Sequence, residues 1–513
     1  MSLMRPFRSG GAVASLPDVC LILEGAYPFI AGGVSSWMHD LIRSQPDLGF
    51  HLVVLSADGS PKELRFVLPD NVVGLTEIAL QTSERRLATG RAVSRMVTAL
   101  EPPLTRLLTR GNLEDFNGVM AALRRYPRAA NRAALMNSEP IFEMLRRMYG
   151  SSVPTSSFLN YFWSWRSLAG GLFSVLLAEL PQARVYHAIS TGYAGLFLAR
   201  AVLETGRPGL LTEHGIYTNE RRVEIAMADW LTDQLPASFD LETRRRDLRD
   251  VWIDAFIGYS HACYEACSTV TTLYTGNQVL QRRDGAPADR LAVIPNGIDY
   301  DSLSKVARDT APRPPTVALI GRAVPIKDIK TFIRAVAILR DLVPGLQALL
   351  LGPTDEDPAY FEECEEMVLH LGLQDTFRFV GRVKLHDYLG KVDVVVLTSI
   401  SEAQPLVLLE AGAAGVPSVA TDVGSCREII EGRADEKPPL GPGGIVIPLA
   451  DPAATADALS ELLLDPERRK RCGEAIRQRT ERYYNKKVVD RIYRNLYDEH
   501  LVRSASLARP RAA

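Results

Sequence analysis

The chain has 513 residues, and its 61 acidic and 59 basic side chains leave a formal net charge of −2. With 46 % hydrophobic and 23 % charged residues, it has the composition of an ordinary globular protein of two or three domains. This balance excludes collagen-like, disordered and disulfide-scaffold classes, and it gives a nucleic-acid partner no support.

Segments that would direct the chain to a membrane or to secretion are not recognisable. The best apolar stretch, residues 168–178, is about half the length of a membrane span and ends against Glu179. Residues 1–17 lack the apolar core of a secretory signal, so we expect a flexible tail there. The six cysteines are scattered, which indicates reduced, mostly buried thiols in a cytoplasmic protein.

The first half of the chain opens with a strand, a glycine turn, a helix and a strand. The apolar run 19–23 predicts a strand buried on both faces, and the pair Gly32-Gly33 precedes a helical segment at 35–42 with a serine available as its N-cap. Residues 51–55 predict the second strand of this βαβ unit. A helical insertion is predicted from about residue 76 to residue 180, and strands resume near residues 185, 210, 269 and 291.

The second half repeats the alternation after a proline-rich stretch. Residues 309–315 have the composition of a linker, and residues 316–480 alternate short apolar runs with helical segments. We therefore expect two doubly wound parallel α/β domains, at 18–308 and 316–480, that face a cleft. Ligands of such sheets bind outside the carboxyl ends of the strands.

Two of the predicted strand ends carry residues suited to a diphosphate. Gly32 and Gly33 let backbone N–H groups approach an anion closely, although a plain tight turn is the alternative. Arg322 follows another predicted strand, and Lys327 is predicted in the first turn of the next helix. These two cations can neutralise phosphate oxygens, and a solvated basic pair is the alternative.

Two further strand ends carry residues suited to a sugar nucleotide. Glu402 is predicted in the loop after a buried strand, and Glu410 about one and a half turns into the following helix. One carboxylate can reach a sugar while the other binds a vicinal diol, and the N–H groups of Leu406 and Val407 can take a phosphate. His214 follows another apolar run, where it can bond a substrate hydroxyl or be a packed, satisfied histidine.

Metal ligation has little support in the sequence. Two Asp-x-Asp triplets, at 299–301 and 355–357, could hold a divalent ion, yet we prefer polar turns because Pro353 and Pro358 flank the second. No histidine–cysteine cluster has the spacing of a metal site. We therefore expect neither a metal nor another cofactor.

The spacing of the two glutamates carries a family resemblance. Glu402 and Glu410 resemble the E-x7-E motif of retaining GT-B glycosyltransferases of family 4. The other segments stand in the order that this family shows, namely the Gly32-Gly33 loop, residues 294–299, and Arg322 with Lys327. Residues 23–37 and 212–217, together with the helical insertion, are similar to those of the Pel exopolysaccharide glycosyltransferases.

The resemblance implies a fold and an activity. The fold is GT-B, with two Rossmann-like domains, a helical insertion in the first, and a last helix at 481–513 that crosses back to the N-terminal domain. The activity is transfer of a hexose from a UDP-sugar to a growing exopolysaccharide with retention of configuration (EC 2.4) in the cytoplasm. Fixed cations would replace a divalent metal in stabilising the leaving diphosphate as its charge grows.

The resemblance also implies roles and partners. Arg322 and Lys327 bind the diphosphate with help from the Gly32-Gly33 loop and the helix N-terminus at Leu406 and Val407, Glu410 holds the ribose hydroxyls, Glu402 contacts the donor sugar, His214 lies near the reacting carbon, and the backbone at Val383 meets the uracil. The expected partners are the donor, a polysaccharide acceptor and inner-membrane Pel synthase proteins that recruit the chain. The alternatives are a GT-B epimerase or phosphorylase and a catalytically silent UDP-sugar-binding subunit of a membrane polysaccharide synthase.

Overall fold

The computed structural model describes residues 16–25, 27–60, 62–81, 87–153, 156–227, 246–309 and 311–507. Residues 1–15 of the predicted tail, residues 82–86 and 154–155 of the predicted insertion, Thr310 of the predicted linker and residues 508–513 lie outside this part. The chain divides into two compact units, Met1–Thr271 with Gln281–Ala292 and Asn495–Ala513, and Thr272–Leu280 with Val293–Arg494.

The first sheet has seven strands. They are β1 (Val19–Glu24), β2 (Phe50–Ser56), β3 (Val72–Ala79), β4 (Val185–Ala188), β5 (Gly209–Glu213), β6 (Thr269–Thr272) and β7 (Leu291–Val293). Their order in space is β3-β2-β1-β4-β5-β6-β7, and the pairs from β3 to β5 are parallel. The strand order therefore reverses between β1 and β4, which makes this edge the topological switch point of the sheet.

Ten helices are described between the start of β1 and the end of β7. They are α1 (Gly33–Arg43), α2 (Arg91–Leu107), α3 (Leu113–Arg125), α4 (Arg132–Asn137), α5 (Glu139–Ser152), α6 (Phe158–Leu177), α7 (Gly192–Thr205), α8 (Tyr217–Ala226), α9 (Leu248–Ala266) and α10 (Thr275–Arg283). Helices α2 to α6 form the insertion between β3 and β4. The predicted start of the insertion at residue 76 is wrong, because β3 runs to Ala79. Most of this edge strand is at least partly exposed, so it lacks the apolar run that marks the inner strands.

The second sheet has six strands with the same pattern. They are β8 (Thr316–Ile320), β9 (Gln347–Leu351), β10 (Phe377–Gly381), β11 (Val394–Leu397), β12 (Ser418–Thr421) and β13 (Gly444–Ile447). Their order is β10-β9-β8-β11-β12-β13, and all five pairs are parallel. The switch point of this sheet lies between β8 and β11. Two doubly wound parallel α/β domains are thus confirmed.

The second unit is completed by helices on both faces of its sheet. They are α11 (Tyr300–Leu303), α12 (Ile329–Leu342), α13 (Pro358–His370), α14 (His386–Leu389), α15 (Leu406–Ala413), α16 (Cys426–Ile430), α17 (Pro452–Leu464), α18 (Pro466–Tyr483) and the start of α19 (Lys486–Leu507), whose residues from Asn495 onward belong to the first unit. Successive residues of β8 enter different cores, with Val317 and Leu319 against α12 and Ala318 against α15. This alternation follows from the two-residue period of a strand buried on both faces.

The boundary between the predicted domains needs a correction. Residues 293–308 belong to the second unit rather than the first, because Ile298 and Leu303 are buried in its core. The predicted linker at 309–315 belongs to this unit too. Within it, Arg313 donates two hydrogen bonds to the carboxylate of Asp393, at 2.8 and 2.7 Å. The proline content of residues 309–315 predicted a linker, but side-chain hydrogen bonds hold this segment against the second unit.

A buried relay fastens the last helix within the first unit. The Nδ1 atom of His187 lies 2.9 Å from the Tyr497 hydroxyl of α19, and its Nε2 atom lies 2.9 Å from Oγ1 of Thr212. Thr212 Oγ1 is in turn 2.7 Å from Oγ1 of Thr271. Burial lowers the pKa of His187 to about 3, so the ring is neutral and can bond on both sides. The relay joins β4, β5, β6 and α19.

Two chain-wide features complete the fold. All six cysteines are free and buried, which confirms the prediction of packed thiols. In the part of the chain that the structure describes, every helix is too short or too polar to cross a bilayer.

Candidate active site

The switch point of the second sheet brings together the predicted cationic and acidic residues of that unit. Arg322 follows the end of β8, and Glu402 follows the end of β11, the neighbouring strand. Since the carboxyl ends of parallel strands meet at one edge, the two loops are adjacent. The prediction that these side chains lie at strand carboxyl ends is confirmed.

An ion pair links two of the predicted catalytic residues. The Nζ atom of Lys327 donates a hydrogen bond of 2.5 Å to Oε1 of Glu402, and the Ser399 hydroxyl donates one of 2.7 Å to the same oxygen. The two charged side chains are only 18 % and 14 % exposed. The charge of each is therefore balanced by the other, a pairing that was not predicted from the sequence.

The position of Lys327 differs from the prediction. It ends a 3₁₀ turn, Pro325–Lys327, and does not lie in the first turn of α12. Asp328 follows with a positive φ of 44°, and its carboxylate accepts a hydrogen bond from the N–H group of Thr331. The N-terminus of α12 thus carries its own carboxylate cap. The Thr398 hydroxyl donates to the carbonyl oxygens of Lys327 and Asp328 and fixes the turn.

Arg322 lies on the surface beside the acidic triplet 355–357. Its guanidinium donates a hydrogen bond of 2.7 Å to Glu356, and 55 % of the side chain is exposed. An exposed pair of this kind contributes little to stability, so a more highly charged ligand can displace the glutamate easily. Asp357 caps α13, and Asp355 pairs with Arg382. The triplet therefore forms a polar turn whose carboxylates all have partners.

The first turn of α15 offers an uncapped helix N-terminus beside a glutamate. The helix begins at Leu406 after Pro405, and no side chain in the described part of the chain accepts a hydrogen bond from its first N–H groups, which include that of Val407. Burial raises the pKa of the Glu410 carboxyl, and nearby His386 works against that shift. Among the described residues, no side chain donates a hydrogen bond to this carboxylate. It is therefore available to a ligand that donates, such as a diol.

Val383 lies at the same edge of the second sheet, after the end of β10. Gly381 ends this strand with a φ of +82°, a conformation that favours glycine, and the chain turns there toward Val383. The Val383 side chain is half-buried against the core of the second unit. The residue predicted to meet the uracil thus lies just after a strand end, and the contact itself stays a prediction.

The glycine pair lies at the edge of the first sheet, where β1 is followed by a loop and α1. Gly33 is the first residue of α1 and Gly32 is its N-cap, so the predicted serine cap is wrong and Ser35 is buried inside the helix. A Cβ atom placed on either glycine would meet nothing within 4 Å. The space above the helix N-terminus is therefore open, and its N–H groups have no side-chain cap.

His214 follows the end of β5 in the same unit. Its ring packs edge-on against Trp37, with 4.4 Å between the ring centroids. Burial lowers the pKa of His214 to about 4, so the imidazole is neutral at pH 7. Its Nε2 atom is buried and has no hydrogen-bond partner in the part of the chain that the structure describes. The ring is packed, as the alternative interpretation expects, but one of its two nitrogen atoms remains available to a ligand within the described part of the chain.

The sequence analysis missed a buried glutamate next to this histidine. Glu213 ends β5, and its carboxylate accepts hydrogen bonds from the Tyr264 hydroxyl at 2.8 Å and from Nε2 of Gln281 at 2.9 Å. Burial raises the pKa of Glu213 to about 7, against the effect of both donors. The signal was available, because a charged residue that ends an apolar strand has to be either exposed or satisfied.

A second glutamate closes the end of β1. Glu24 accepts hydrogen bonds from the N–H group of Tyr193 at 3.1 Å, in the first turn of α7, and from the Tyr217 hydroxyl at 3.0 Å. Burial raises the pKa of this carboxyl, while Tyr217 and the charge of Arg221 lower it. Glu24 therefore fixes the start of α7 beside the switch point of the first sheet.

Two family models divide the chain between them. The model described as "Domain of unknown function (DUF3492)" matches residues 17–289, more than half of the chain. The model described as "Glycosyl transferases group 1" matches residues 304–479, which hold Arg322, Lys327, Glu402 and Glu410.

Curated relatives match a limited part of the chain. D-inositol 3-phosphate glycosyltransferase from Streptomyces scabiei (strain 87.22) is 32 % identical over 213 residues, which cover 38 % of this chain and 46 % of that relative. The enzyme of the same name from Kineococcus radiotolerans is 31 % identical over 216 residues, covering 38 % and 49 %. The chain thus spans about half the length of the curated relatives it matches.

Solved structures match nearly the whole chain at low identity. Anabaena Alr3699/HepE in complex with UDP and glucose aligns with a TM-score of 0.54 and 13 % identity over 94 % of this chain and 99 % of its own. Sucrose-phosphate synthase from Thermosynechococcus elongatus aligns with a TM-score of 0.54 and 18 % identity over 94 % and 98 %. These similarities confirm the fold as GT-B, with two Rossmann-like α/β domains.

Proposed function

We propose that this chain is a hexosyltransferase. The chain belongs to the DUF3492 family and carries a glycosyl transferases group 1 domain at residues 304–479. It transfers a hexose from a UDP-sugar to a growing polysaccharide and retains the anomeric configuration. The observation that carries the proposal is the ion pair of Lys327 and Glu402 at the switch point of the second sheet. The UDP held by Anabaena Alr3699/HepE, a protein of the same fold, supports the choice of donor.

The leaving group sets the main electrostatic problem. A nucleoside diphosphate gains negative charge as the glycosidic bond breaks, so fixed positive charge lowers the barrier. Lys327 is already in place, and its partner Glu402 has a second hydrogen bond from Ser399. When a diphosphate takes over the ammonium group, Glu402 is free to contact the donor sugar. Arg322 leaves its exposed partner in the same event and supplies a planar pair of donors.

One carboxylate and several backbone groups recognise the nucleoside and its phosphates. The carboxylate of Glu410 accepts from the ribose hydroxyls, and the backbone at Val383 meets the uracil. The N–H groups of Leu406 and Val407 bind a phosphate at the uncapped start of α15. No divalent metal is required in this arrangement, because the two cations carry out the neutralisation.

The first unit contributes recognition of hydroxyl groups. The neutral ring of His214 offers a buried Nε2 atom to a sugar hydroxyl near the reacting carbon. The open N-terminus of α1 at Gly32 and Gly33 offers backbone N–H groups to an anionic group. Glu213 positions the start of α8, since its carboxylate accepts from the N–H group of Tyr217.

The polysaccharide acceptor and the recruiting proteins can be specified further. We propose that the acceptor is a Pel-type exopolysaccharide of biofilms, and that the chain works as the Pel glycosyltransferase PelF, recruited to the inner membrane by the synthase proteins. The support is the similarity of residues 23–37 and 212–217 to that enzyme. Co-purification of the chain with those membrane proteins, and loss of the polysaccharide on deletion, are the expected results.

The activity is tested with purified protein and a panel of UDP-, GDP- and ADP-sugars. We expect turnover with a UDP-sugar that persists in chelator, with an anomer of retained configuration identified by NMR. Arg322→Ala and Lys327→Ala lower turnover at least ~100-fold, the usual effect of losing one partner of the developing charge. Lys330→Ala is the matched control, because this lysine on α12 pairs with Glu363 on the surface. The turnover of this variant should stay within about twofold of wild type.

Two results would contradict the proposal. Turnover that appears only with added magnesium or manganese would mean that the cations do not replace a metal. Donor binding without transfer or donor hydrolysis would favour the silent binding subunit, and release of an isomerised donor would favour an epimerase.

A further inference from the structure

A cavity of about 570 Å³ lies within the helical insertion of the first unit. Its apolar lining comes from α5 and α6 and includes Ile141, Phe142, Leu145, Phe162 and Trp165. None of these residues belongs to the candidate active site. The volume falls in the range of cavities that hold small molecules, so the insertion has room for a ligand of its own.

The cavity combines a fixed wall with an open mouth. Ile141, Leu145 and Trp165 are at most 2 % exposed, whereas 43 % of Phe142 is exposed. The rings of Phe142 and Phe162 lie 6.4 Å apart, which keeps the exposed ring in contact with the wall. Such a lining gains from burying an aliphatic or aromatic body that would otherwise be in water.

Two side chains of the lining, Trp165 and Arg166, are donors. The Nε1 atom of Trp165 is buried without a hydrogen-bond partner among the described residues, and an indole N–H can only donate. Arg166 donates to the Met136 carbonyl and to Oδ1 of Asn137, and its guanidinium lies 5.5 Å from the centre of the Phe162 ring. No carboxylate forms an ion pair with Arg166 in the described part of the chain. The cavity therefore calls for an acceptor that carries negative charge.

The start of α5 sets the size of that charge. Ser138 and Glu139 line the same cavity, and the Ser138 hydroxyl accepts from the N–H group of Ile141 at 3.4 Å. The N-terminal end of a helix favours an anion, but the exposed carboxylate of Glu139 repels a second negative charge. A head group with a single negative charge satisfies both.

We propose that this cavity binds an amphiphile whose aliphatic or aromatic body carries one acceptor-only anionic head, a carboxylate or a phosphate diester. The body occupies the wall formed by Ile141, Leu145 and Phe162. The head accepts from Trp165 Nε1 and from the guanidinium of Arg166. The site is independent of the proposed sugar transfer, and it needs no sugar nucleotide to be tested.

The first experiment measures head-group preference by titration calorimetry of the full chain with dodecanoate, didecanoyl phosphatidylglycerol, dodecanol and dodecyltrimethylammonium below their micelle concentrations. We expect dodecanoate or the phosphate diester to bind one molecule per chain, and the preferred one identifies the source. Dodecanol should bind at least ~10-fold more weakly, as the loss of a charged hydrogen bond predicts, and the cation weaker still. Equal binding of dodecanol and dodecanoate, or no binding of either anion, would overturn the proposal.

The second experiment places the ligand in the cavity. Arg166→Gln should weaken dodecanoate binding ~10-fold, and Trp165→Phe, which loses only the indole donor, ~3-fold. Ile141→Trp should abolish binding by filling the space. Arg95→Gln is the matched control, because this exposed arginine of α2 lies outside the cavity and its loss changes the net charge equally.

Folding of each variant is checked by its melting temperature without ligand. If Ile141→Trp does not fold, Leu145→Phe fills the same space with less added volume and takes its place. Unchanged dodecanoate binding in Arg166→Gln and in a folded filling variant would place the ligand elsewhere and sink the proposal.

Discussion

The candidate site residues of the two units satisfy their polar groups in different ways. In the second unit, Lys327 and Arg322 carry full charges that are balanced by Glu402 and Glu356. In the first unit, burial keeps the ring of His214 neutral, and one of its nitrogen atoms has no hydrogen-bond partner among the described residues. The two units therefore suit different parts of a ligand. The paired cations of the second unit can exchange their carboxylate partners for a charged ligand, whereas the neutral imidazole of the first unit can bind a hydroxyl group.

His214→Ala tests the distinction between the two units and should change activity more than the variants that follow. Because the neutral ring contributes no charge to the nucleotide, we expect turnover to fall ~100-fold while UDP affinity stays within about twofold of wild type. Steady-state kinetics and calorimetry with UDP measure the two quantities on one preparation. A fall in UDP affinity as large as the fall in turnover would place the histidine among the nucleotide-binding groups and remove the distinction.

The converse effect is expected in the second unit. Glu410→Ala removes the carboxylate that accepts from the ribose, so UDP affinity should fall ~10-fold, as for one charged hydrogen bond. Glu431→Ala is the control, because this exposed glutamate pairs with Arg427. Calorimetry that finds equal UDP affinity for both variants would mean that Glu410 has no part in nucleoside recognition.

The two neighbours at the end of β5 should respond to pH in opposite directions. The folded pKa of His214 is about 4 against an ordinary value of 6.5, so the wild type loses stability as the pH falls from 6.5 to 4. The folded pKa of Glu213 is about 7 against 4.5, so the wild type loses stability as the pH rises from 4.5 to 7.

Relative to the wild type, His214→Gln should therefore gain stability toward acid, and Glu213→Gln should gain it toward neutral pH. Each gain is on the order of 3 kcal/mol, because the pKa of each group differs by about 2.5 from its ordinary value. Denaturant unfolding at a series of pH values measures both. Parallel profiles for the two variants would break the picture of burial acting on each group separately.

The smallest effect is expected from Gly33→Ala. Among the described residues the new methyl group meets no atom within 4 Å, so stability should not fall, but it occupies space above the uncapped N-terminus of α1. We expect donor KM to rise about threefold to fivefold, the loss of one weak contact between a helix end and an anion. Gly150→Ala, at an open position on α5, is the control and should leave KM unchanged. An unchanged KM in both would show that the ligand keeps away from α1.

Features that depend on consecutive residues could be predicted from the sequence, whereas features that depend on contacts between distant residues could not. The inner strands and the E-x7-E spacing were predictable, because an apolar run and a strand–loop–helix order are written in consecutive residues. The edge strand β3 was missed since it lacks such a run. The pairing of Lys327 with Glu402 joins residues 75 positions apart, and the turn at Asp328 depends on a hydroxyl from Thr398, so neither could be predicted from local pattern.

The relay through His187 has a consequence for how the chain is made. Strand β4 is synthesised early, but the hydroxyl that bonds its buried imidazole belongs to Tyr497, more than three hundred residues later. Until α19 has been made, the buried Nδ1 atom of His187 lacks this hydroxyl, and a buried polar group left unsatisfied costs about 1–3 kcal/mol. The first unit therefore reaches its full stability only after α19 has been made, and fragments that stop before α19 should be short-lived.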